Sequence, residues 1–151
     1  MDLVKLTVST EEEKKELNQL FEEAKPYFLK VEGREPLAPL IDIDTVIPNI
    51  PKELVYCLSI RYLNQLVGYI WIFEESKTNF YILHMYISDK FKKQGLGKLA
   101  IYELDNYYLK RDFLTAELLV SGSNYLGLKF WTAVGFDKII YIEAPEENMI
   151  T

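Results

Sequence analysis

The sequence predicts a mixed α/β fold of the α+β type, in which helices cover both faces of a mostly antiparallel sheet. Two observations support this fold class. Three strand-type runs, Leu54–Tyr62, Leu66–Phe73 and Phe80–Ile87, follow one another across short polar turns, as in an antiparallel meander. Downstream of them, apolar helical patterns alternate with further strand-type runs, which is typical of crossover connections.

Hydrophobic periodicity and turn residues predict the other elements. A short strand over Leu3–Val8 precedes Thr10, and the three acidic residues after Thr10 indicate a capped helix that runs to about Phe28. The proline-containing stretch from Leu29 to Pro51 leaves open whether a short helix forms near Leu37–Ile47. The later elements are expected to be a helix from about Gly97, a strand over Leu114–Val120, a helix over Asn124–Val134 with Gly135 as its left-handed cap, and a last strand over Lys138–Glu143.

Length and composition indicate one soluble domain. The chain has 151 residues, of which 49% are hydrophobic and 26% charged, so we expect a single core over residues 1–143 and a frayed tail over 144–151. Apolar runs fall short of the roughly 20 residues that span a bilayer, and the first residues lack a signal-peptide layout. Cys57 is the one cysteine, so the chain forms no internal disulfide. We therefore expect a cytoplasmic protein without a membrane partner.

The overall charge limits the partners. A net charge of −6 opposes binding to nucleic-acid phosphates and mildly favours a cationic partner. We expect a small-molecule or peptide amine as substrate, no nucleic acid, and an oligomeric state that includes a homodimer among the alternatives.

One basic segment departs from this acidic balance. From Tyr86 the sequence reads Tyr-Ile-Ser-Asp-Lys-Phe-Lys-Lys-Gln-Gly-Leu-Gly-Lys, which is a strand end, a basic loop and two glycines at the start of a helix. Unpaired N–H groups and the partial positive charge of a helix N-terminus bind anions, and glycine lets the backbone approach a ligand. The segment therefore predicts a diphosphate cradle, although an ordinary surface turn with solvated lysines is the alternative.

Two better-known phosphate sites fit this segment less well. A dinucleotide-binding Rossmann unit would need a third glycine at Leu99-Ala100 and an upstream parallel βαβ unit, whereas the upstream strands form a meander. A Walker phosphate loop is excluded because its Gly-x-x-x-x-Gly-Lys-Ser/Thr pattern is absent.

The segment resembles the signature of the GNAT acetyltransferases, in which Arg or Gln, two residues, Gly, one residue, and Gly or Ala follow the fourth strand. Lys92 stands in the Arg/Gln position here, before Gly95 and Gly97. A second block, from Asn124 to Phe136, resembles the family's downstream element, with Gly127 in place of Ala and Trp131 in place of Tyr. The resemblance implies a sheet of six to seven strands.

The resemblance also implies that acetyl-CoA is the co-substrate and that no metal is used. In this family the pantetheine arm lies along the fourth strand, so the backbone of Met85, Tyr86 and Ile87 is expected to hold it, with the N–H of Ile87 as the oxyanion donor. Asn124 is expected to contact the arm. The expected cofactor-binding residues beyond these are Lys92, Lys93, Gln94, Gly95, Leu96, Gly97, Lys98 and Trp131.

The catalytic positions depart from the family pattern. Tyr81 stands where relatives often have a glutamate base, and Trp131 replaces the tyrosine that usually protonates the thiolate. His84 has a suitable pKa, but strand alternation places it on the face opposite Tyr81, Met85 and Ile87, which favours a packing or hydrogen-bonded role. Tyr141 is a candidate acid acting through water, and Cys57 is read as a buried thiol.

The sequence therefore predicts an N-acetyltransferase that moves the acetyl group of acetyl-CoA directly to a primary amine. Because both usual acid/base residues are replaced, the alternative is a GNAT-fold module that binds acyl-CoA as a sensor or interaction domain without turnover.

Overall fold

The computed structural model describes residues 4–43, 47, 49–121 and 123–139. Within this part of the chain the structure has five strands and three α-helices. The strands are β1 (Val4–Val8), β2 (Val55–Tyr62), β3 (Gln65–Phe73), β4 (Asn79–Ile87) and β5 (Thr115–Leu118), and the helices are α1 (Lys14–Glu32), α2 (Leu96–Leu109) and α3 (Tyr125–Ala133).

The strands form one mixed sheet in the order β1-β2-β3-β4-β5. Strands β1 to β4 pair antiparallel, and β5 joins β4 in parallel through the α2 crossover. The turn between β2 and β3 places Leu63 and Asn64 at positive φ, +50° and +68°. Positive φ at both central residues gives the turn the twist that a two-residue hairpin requires. The predicted meander and mixed sheet are confirmed.

Helices cover both faces of this sheet and enclose two apolar cores. Helix α2 packs Ala100, Ile101 and Leu104 against one face, where they meet Ile70 and Ile72 of β3. Helix α1 packs Leu17, Leu20 and Ala24 against the other face, where they meet Tyr69 and Trp71. Successive residues of β3 thus alternate between the two cores, as the period of a strand requires.

Helix α1 extends four residues beyond its predicted end at Phe28. Pro26 lies inside the helix, and the helix ends where Gly33 adopts the left-handed conformation at φ +73°. Glycine is the residue that most readily adopts this conformation and so forms the C-terminal cap. The additional turn carries Glu32 towards β5 and α3.

Two predicted elements fall largely outside the described residues. Of the last strand over Lys138–Glu143, the structure describes residues 138 and 139, which are not in a strand. The tail over 144–151 also lies outside. In the segment near Leu37–Ile47, the N–H of Ile47 donates to the carbonyl of Ile43 at 2.8 Å, and residues 44–46 lie outside the described part of the chain.

Strand β4 contains a β-bulge that the sequence pattern does not predict. Trp71 of β3 pairs with His84, while the next residue, Ile72, pairs with Ile82, so Leu83 is an extra residue on β4. An inserted residue reverses the alternation of side chains beyond it. The reversal decides which side chains of β4 share a face.

Candidate functional site

The site begins where β5 separates from β4. The two strands pair from Asn79↔Thr115 to Ile82↔Leu118, and β4 continues to Ile87 beyond the last pair. The N–H of Ser88 donates to the carbonyl of Val67 on β3 at 2.8 Å. Because backbone groups alternate between the two edges of a strand, those of Ile87 and Met85 face the gap left by β5.

The same alternation gives Tyr86 a different position from the one the resemblance implies. Its backbone faces β3, where its carbonyl oxygen would lie 2.1 Å from a Cβ built on Gly68. Its side chain is buried on the α1 side of the sheet. Tyr86 therefore supports the strand from the other edge, and Met85 and Ile87 supply the backbone groups that face the gap.

The N-terminus of α2 follows β4 after the loop 88–95 and lines the same cavity as the end of β4. Gly95 precedes the helix at φ +76°, and no atom lies within 4 Å of a Cβ built on it. The N–H of Leu99 makes the first helical bond, to the carbonyl of Gly95 at 3.1 Å. By helix geometry, the amides of Leu96, Gly97 and Lys98 precede that bond and are available to an anion.

The two glycines of the signature, Gly95 and Gly97, are needed for different structural reasons. Gly95 is required by its positive φ, whereas a Cβ on Gly97 would lie 2.9 Å from the ring of Phe130. Gly97 therefore allows α2 and α3 to approach closely, which places both helix N-termini at the same cavity.

The gap opens into a cavity of about 750 Å³. Its lining comes from β4, from the N-termini of α2 and α3, and from the C-terminal part of α1 with the segment that follows it. Most lining side chains are apolar or aromatic, as in small-molecule sites. The polar and charged residues at its wall include Tyr27, Glu32, Arg34, Glu35, Tyr81, His84, Lys92, Lys93, Lys98 and Asn124.

Lys92 is held in place by neighbouring side chains. Its Nζ lies 2.8 Å from a carboxylate oxygen of Asp89 and about 5 Å from the ring centres of Tyr27 and Tyr86, at 5.1 and 5.2 Å. Cation–π contacts of this kind attract the ammonium group to the faces of the rings. Lys92 thus joins α1 to the loop before α2, while Lys93 and Lys98 also line the cavity.

Glu23 anchors the same loop from α1. Its carboxylate accepts hydrogen bonds from Tyr86 Oη at 2.5 Å, the backbone N–H of Asp89 at 2.9 Å and Ser88 Oγ at 3.2 Å. Burial by itself would raise the pKa of Glu23, but these three donors outweigh burial and lower the pKa. An ionised Glu23 therefore ties the end of β4 to α1 at neutral pH.

Asn124 caps α3 with its side chain. Its Oδ1 accepts from the N–H of Gly127 at 2.9 Å, which satisfies one of the unpaired donors of the helix. A Cβ on residue 127 would lie 2.5 Å from Asn124 Nδ2. The amide of Asn124 therefore occupies the space that an alanine would need, which explains the glycine at this position.

His84 is buried on the face that packs against α1. It pairs with Trp71, and Tyr81 pairs with Phe73 two residues along β3, so the bulge puts His84 and Tyr81 on the same face. The expectation that they lie on opposite faces was wrong because it assumed regular alternation. Met85 and Ile87 do lie on the other face, with the α2 core.

The hydrogen bonds of His84 define its tautomer. Tyr69 Oη donates its one proton to the carbonyl of Leu37 at 3.0 Å, so the 3.3 Å contact between Tyr69 Oη and His84 Nε2 requires the histidine to donate. Burial, with a smaller contribution from the charge of Arg34, lowers the pKa of His84 to about 3. His84 is therefore neutral at physiological pH.

The other catalytic candidates have distinct surroundings. Tyr81 is half-buried at the cavity wall. Trp131 also lines the cavity and packs edge-to-face on Phe130, with ring centres 4.9 Å apart. Burial raises the pKa of Cys57 to about 11, so its thiol is not an activated nucleophile. Tyr141 lies outside the described residues.

Sequence reasoning did not identify two residues of α1 that build the site, Glu23 and Glu32. Their partners lie more than 60 residues away along the chain. Helix α1 carries many other charged and polar residues, so no local pattern in the sequence distinguishes Glu23 and Glu32 from the rest.

Replacing Gly127 with alanine is expected to destabilise the protein. Alanine gains about 1 kcal/mol in helix propensity over glycine. Its Cβ would displace the buried Asn124 amide, however, and loss of a cap and of further buried hydrogen bonds costs about 2–3 kcal/mol. We expect a lower melting temperature, with Lys129→Ala on the same helix as the neutral control. An increase in melting temperature would contradict the role assigned to Asn124.

The depressed pKa of His84 predicts a pH-dependent stability. Below the ordinary histidine pKa of 6.5, His84 of the unfolded chain binds a proton. In the folded chain His84 stays neutral down to about pH 3. The free energy of unfolding should therefore fall as the pH drops from about 7 to 5, with a slope approaching about 1.4 kcal/mol per pH unit.

Urea denaturation of the wild type and of His84→Gln at several pH values in that range tests this prediction. His84 is the one histidine of the chain, so the variant should lack most of the slope. Parallel pH profiles for the two proteins would show that His84 is protonated equally in both states.

Within the described residues, no helix is long and apolar enough to cross a membrane. In the same part of the chain, no group of three or more His, Cys, Asp or Glu side chains is arranged to hold a metal ion.

Comparison with known proteins identifies the fold. Three solved structures are similar over nearly their whole length. YycN from Bacillus subtilis, provisionally described as an acetyltransferase, has a TM-score of 0.70 at 18% identity over 94% of this chain and 97% of its own. The aminoglycoside acetyltransferase meta-AAC0020 from an uncultured soil metagenomic sample, in complex with sisomicin, has a TM-score of 0.62 at 16% identity over 95% and 96%. The ribosomal-protein-alanine N-acetyltransferase from Brucella melitensis biovar Abortus 2308 has a TM-score of 0.59 at 14% identity over 94% and 99%.

Sequence comparison identifies the family. No curated protein matches the chain significantly. The family model of the acetyltransferase (GNAT) family matches residues 17–136, which include β2 to β5 and all of α2 and α3. The chain therefore belongs to the GNAT family of acetyltransferases.

Proposed function

We propose that this protein is an N-acetyltransferase that transfers the acetyl group of acetyl-CoA to a primary amine of a small molecule or a protein. One observation carries the proposal. The edge of β4 that β5 leaves open at Leu83–Ile87 lines the same cavity as the N-terminus of α2. This geometry presents an extended row of backbone groups followed by an anion site, which matches an extended arm that ends in a diphosphate.

The N-terminus of α2 suits the diphosphate. The amides of Leu96, Gly97 and Lys98 precede the first helical bond, and the open space at Gly95 leaves room for a ligand. Lys93 and Lys98 line the same part of the cavity and add positive charge. Lys92, which is also expected to bind the cofactor, lines the cavity as well, and its contacts with Asp89, Tyr27 and Tyr86 connect the loop before α2 to α1 and β4.

The open edge of β4 suits the pantetheine arm. The backbone groups of Met85 and Ile87 face the gap, and amide groups of the arm would pair with them as an added strand does. Phe130 and Trp131 of α3 supply an apolar wall on the opposite side. We therefore assign the side chain of Trp131 to binding of the arm. This role is consistent with its standing in place of the tyrosine that usually protonates the thiolate.

Acetyl-CoA supplies an activated acetyl thioester, and the overall change converts an amine and this thioester into an amide and a free thiol. The N–H of Ile87 would donate to the carbonyl oxygen of the thioester and stabilise the charge that develops on it. The amine must lose a proton, and the departing sulfur must gain one. His84 is unsuited to remove that proton, because a base with a pKa of about 3 is far weaker than an amine with a pKa of about 10.

The acceptor would enter from the end of the cavity beside α1. This end is lined by Phe28, Arg34, Glu35, Leu37, Tyr81 and the neutral His84. The carboxylate of Glu35 would attract a cationic amine, and the aromatic side chains would pack on an apolar portion of it. Structural neighbours act on aminoglycosides and on ribosomal-protein alanine by their names, so both small molecules and proteins are reasonable acceptors to test.

Binding of acyl-CoA without turnover is a second candidate function. It is favoured by Tyr81 and Trp131, which replace both of the usual acid/base residues. The nearby His84 does not substitute for them, because its pKa is lowered to about 3. Thiol release from acetyl-CoA across a panel of polyamines, aminoglycosides, amino acids and peptide N-termini distinguishes the two candidates. Acceptor-dependent release supports the enzyme, whereas tight binding without release by any amine supports the binding module.

Gly95 provides a direct test of the diphosphate site. Valine strongly disfavours a positive φ, so Gly95→Val should reshape the start of α2 and weaken acetyl-CoA binding by about tenfold or more in calorimetry. Gly135→Val is the matched control, because Gly135 also has a positive φ, +112°, with no atom within 4 Å of a built Cβ. Equal affinities for the two variants would contradict the assignment.

Ile87 provides a test of the oxyanion donor. Proline lacks an N–H, and at position 87 it would leave the hydrogen bonds to β3 intact because those come from the neighbouring residues. We expect Ile87→Pro to lower kcat by about 100-fold or more, with a smaller effect on the KM for acetyl-CoA. Ile87→Val should behave like the wild type. An unchanged kcat in the proline variant would place the oxyanion donor elsewhere.

A further inference from the structure

The side-chain amide of Asn124 has almost no freedom in this structure. Its Oδ1 accepts from Gly127 N–H and from Tyr27 Oη, each at 2.9 Å, and its Nδ2 donates to Glu32 Oε2 at 2.6 Å. A backbone N–H can only donate and a carboxylate can only accept, so both partners require the same orientation of the amide. One N–H of Nδ2 is then the remaining donor of this buried side chain at the cavity wall.

Glu32 is the last residue of α1, and its carboxylate lies against the loop between β5 and α3. Besides Asn124, it accepts from the backbone N–H of Ser121 at 3.0 and 3.3 Å. Next to it, Ser123 Oγ donates to the carbonyl of Val31 at 2.8 Å. The C-terminal end of α1 is thus joined to the N-terminus of α3 across the mouth of the gap between β4 and β5.

Capping of α3 does not by itself account for this pair. Aspartate caps a helix as well as asparagine does, since only the acceptor oxygen is needed. The feature that aspartate lacks is the NH₂ group, and here that group is bound by Glu32 on one side. The remaining N–H can satisfy only an acceptor, such as the carbonyl oxygen of an amide.

We propose that Glu32 is a positioning residue, which fixes the amide of Asn124 so that one N–H faces the cofactor arm and pairs with a carbonyl oxygen of that arm. The inference rests on the proposed function, because the arm is that of acetyl-CoA. It identifies Glu32 as the residue that orients the amide and Nδ2 of Asn124 as the atom that donates to the arm. It also assigns the C-terminus of α1 to cofactor binding as well as to the acceptor end of the cavity.

The test exchanges donor and acceptor within the pair. Asn124→Asp alone places a carboxylate against Glu32 and should lower the melting temperature. In the double variant Asn124→Asp with Glu32→Gln, the glutamine NH₂ can donate to the introduced aspartate, while the glutamine oxygen still accepts from Ser121 N–H. The aspartate carboxylate still accepts from Gly127 and Tyr27. The double variant should therefore regain most of the lost melting temperature. The N–H towards the cavity is replaced by an acceptor, which repels a carbonyl oxygen.

Melting temperature without ligand and calorimetric affinity for acetyl-CoA are measured for the wild type, both single variants and the double variant. We expect the double variant to recover stability but to bind acetyl-CoA at least tenfold more weakly than the wild type. A merely structural pair would recover both properties, so wild-type affinity in the double variant would overturn the inference. Failure of the double variant to regain stability would also overturn it, because the pair would then not be interchangeable.

The proposed function is tested separately by the wild-type titration. If the wild type binds no acetyl-CoA, the proposed function fails and this inference fails with it. If the wild type binds acetyl-CoA and the double variant binds equally well, the proposed function stands and only the role of the Asn124–Glu32 pair in cofactor binding is rejected.

Discussion

The candidate site depends on one constraint, which is that the last part of β4 is not paired with β5. A strand buried between two neighbours normally has both edges paired, because an unpaired backbone group removed from water costs about as much as a lost hydrogen bond. Here β5 follows β4 only as far as Ile82 and then diverges, so Leu83–Ile87 leaves one edge open. The fold maintains this opening by other means, and in the proposed function the open edge accepts the extended arm of acetyl-CoA as an additional strand.

Helix α1 holds the opening at its two sides. Glu23 binds the loop that leads from β4 into α2, and Glu32 binds the loop that leads from β5 into α3. The two carboxylates lie nine residues apart on one helix, so a rigid segment sets the distance between the two helix N-termini that face the cavity. On the opposite side of the sheet, Gly97 permits contact between α2 and Phe130 of α3. Two acidic residues therefore help to form a site whose ligand is expected to be anionic. Their carboxylates are compatible with such a ligand because they accept hydrogen bonds from donors within the protein.

The sequence was sufficient for the fold but only for part of the site. Strand runs, turn residues and the two glycine-containing blocks are local signals, and they predicted the meander, the crossovers and the position of Gly95 just before a helix that follows β4. The β-bulge at Leu83 is not local, because it reflects how β3 and β4 pair, and this is why Tyr81 was placed on the wrong face relative to His84. The roles of Glu23 and Glu32 depend on contacts with residues far along the chain. The reason for Gly127 appears only once the position of the Asn124 amide is known.

The central claim is that the backbone at the start of α2 binds the diphosphate of coenzyme A. Calorimetric titration of the wild type with coenzyme A and, separately, with pantetheine tests this claim most directly, because pantetheine has the arm without the phosphates. The account predicts binding of coenzyme A and at least a hundredfold weaker binding of pantetheine, or about 2.7 kcal/mol in binding free energy. Equal affinities, or no detectable binding of coenzyme A, would contradict it.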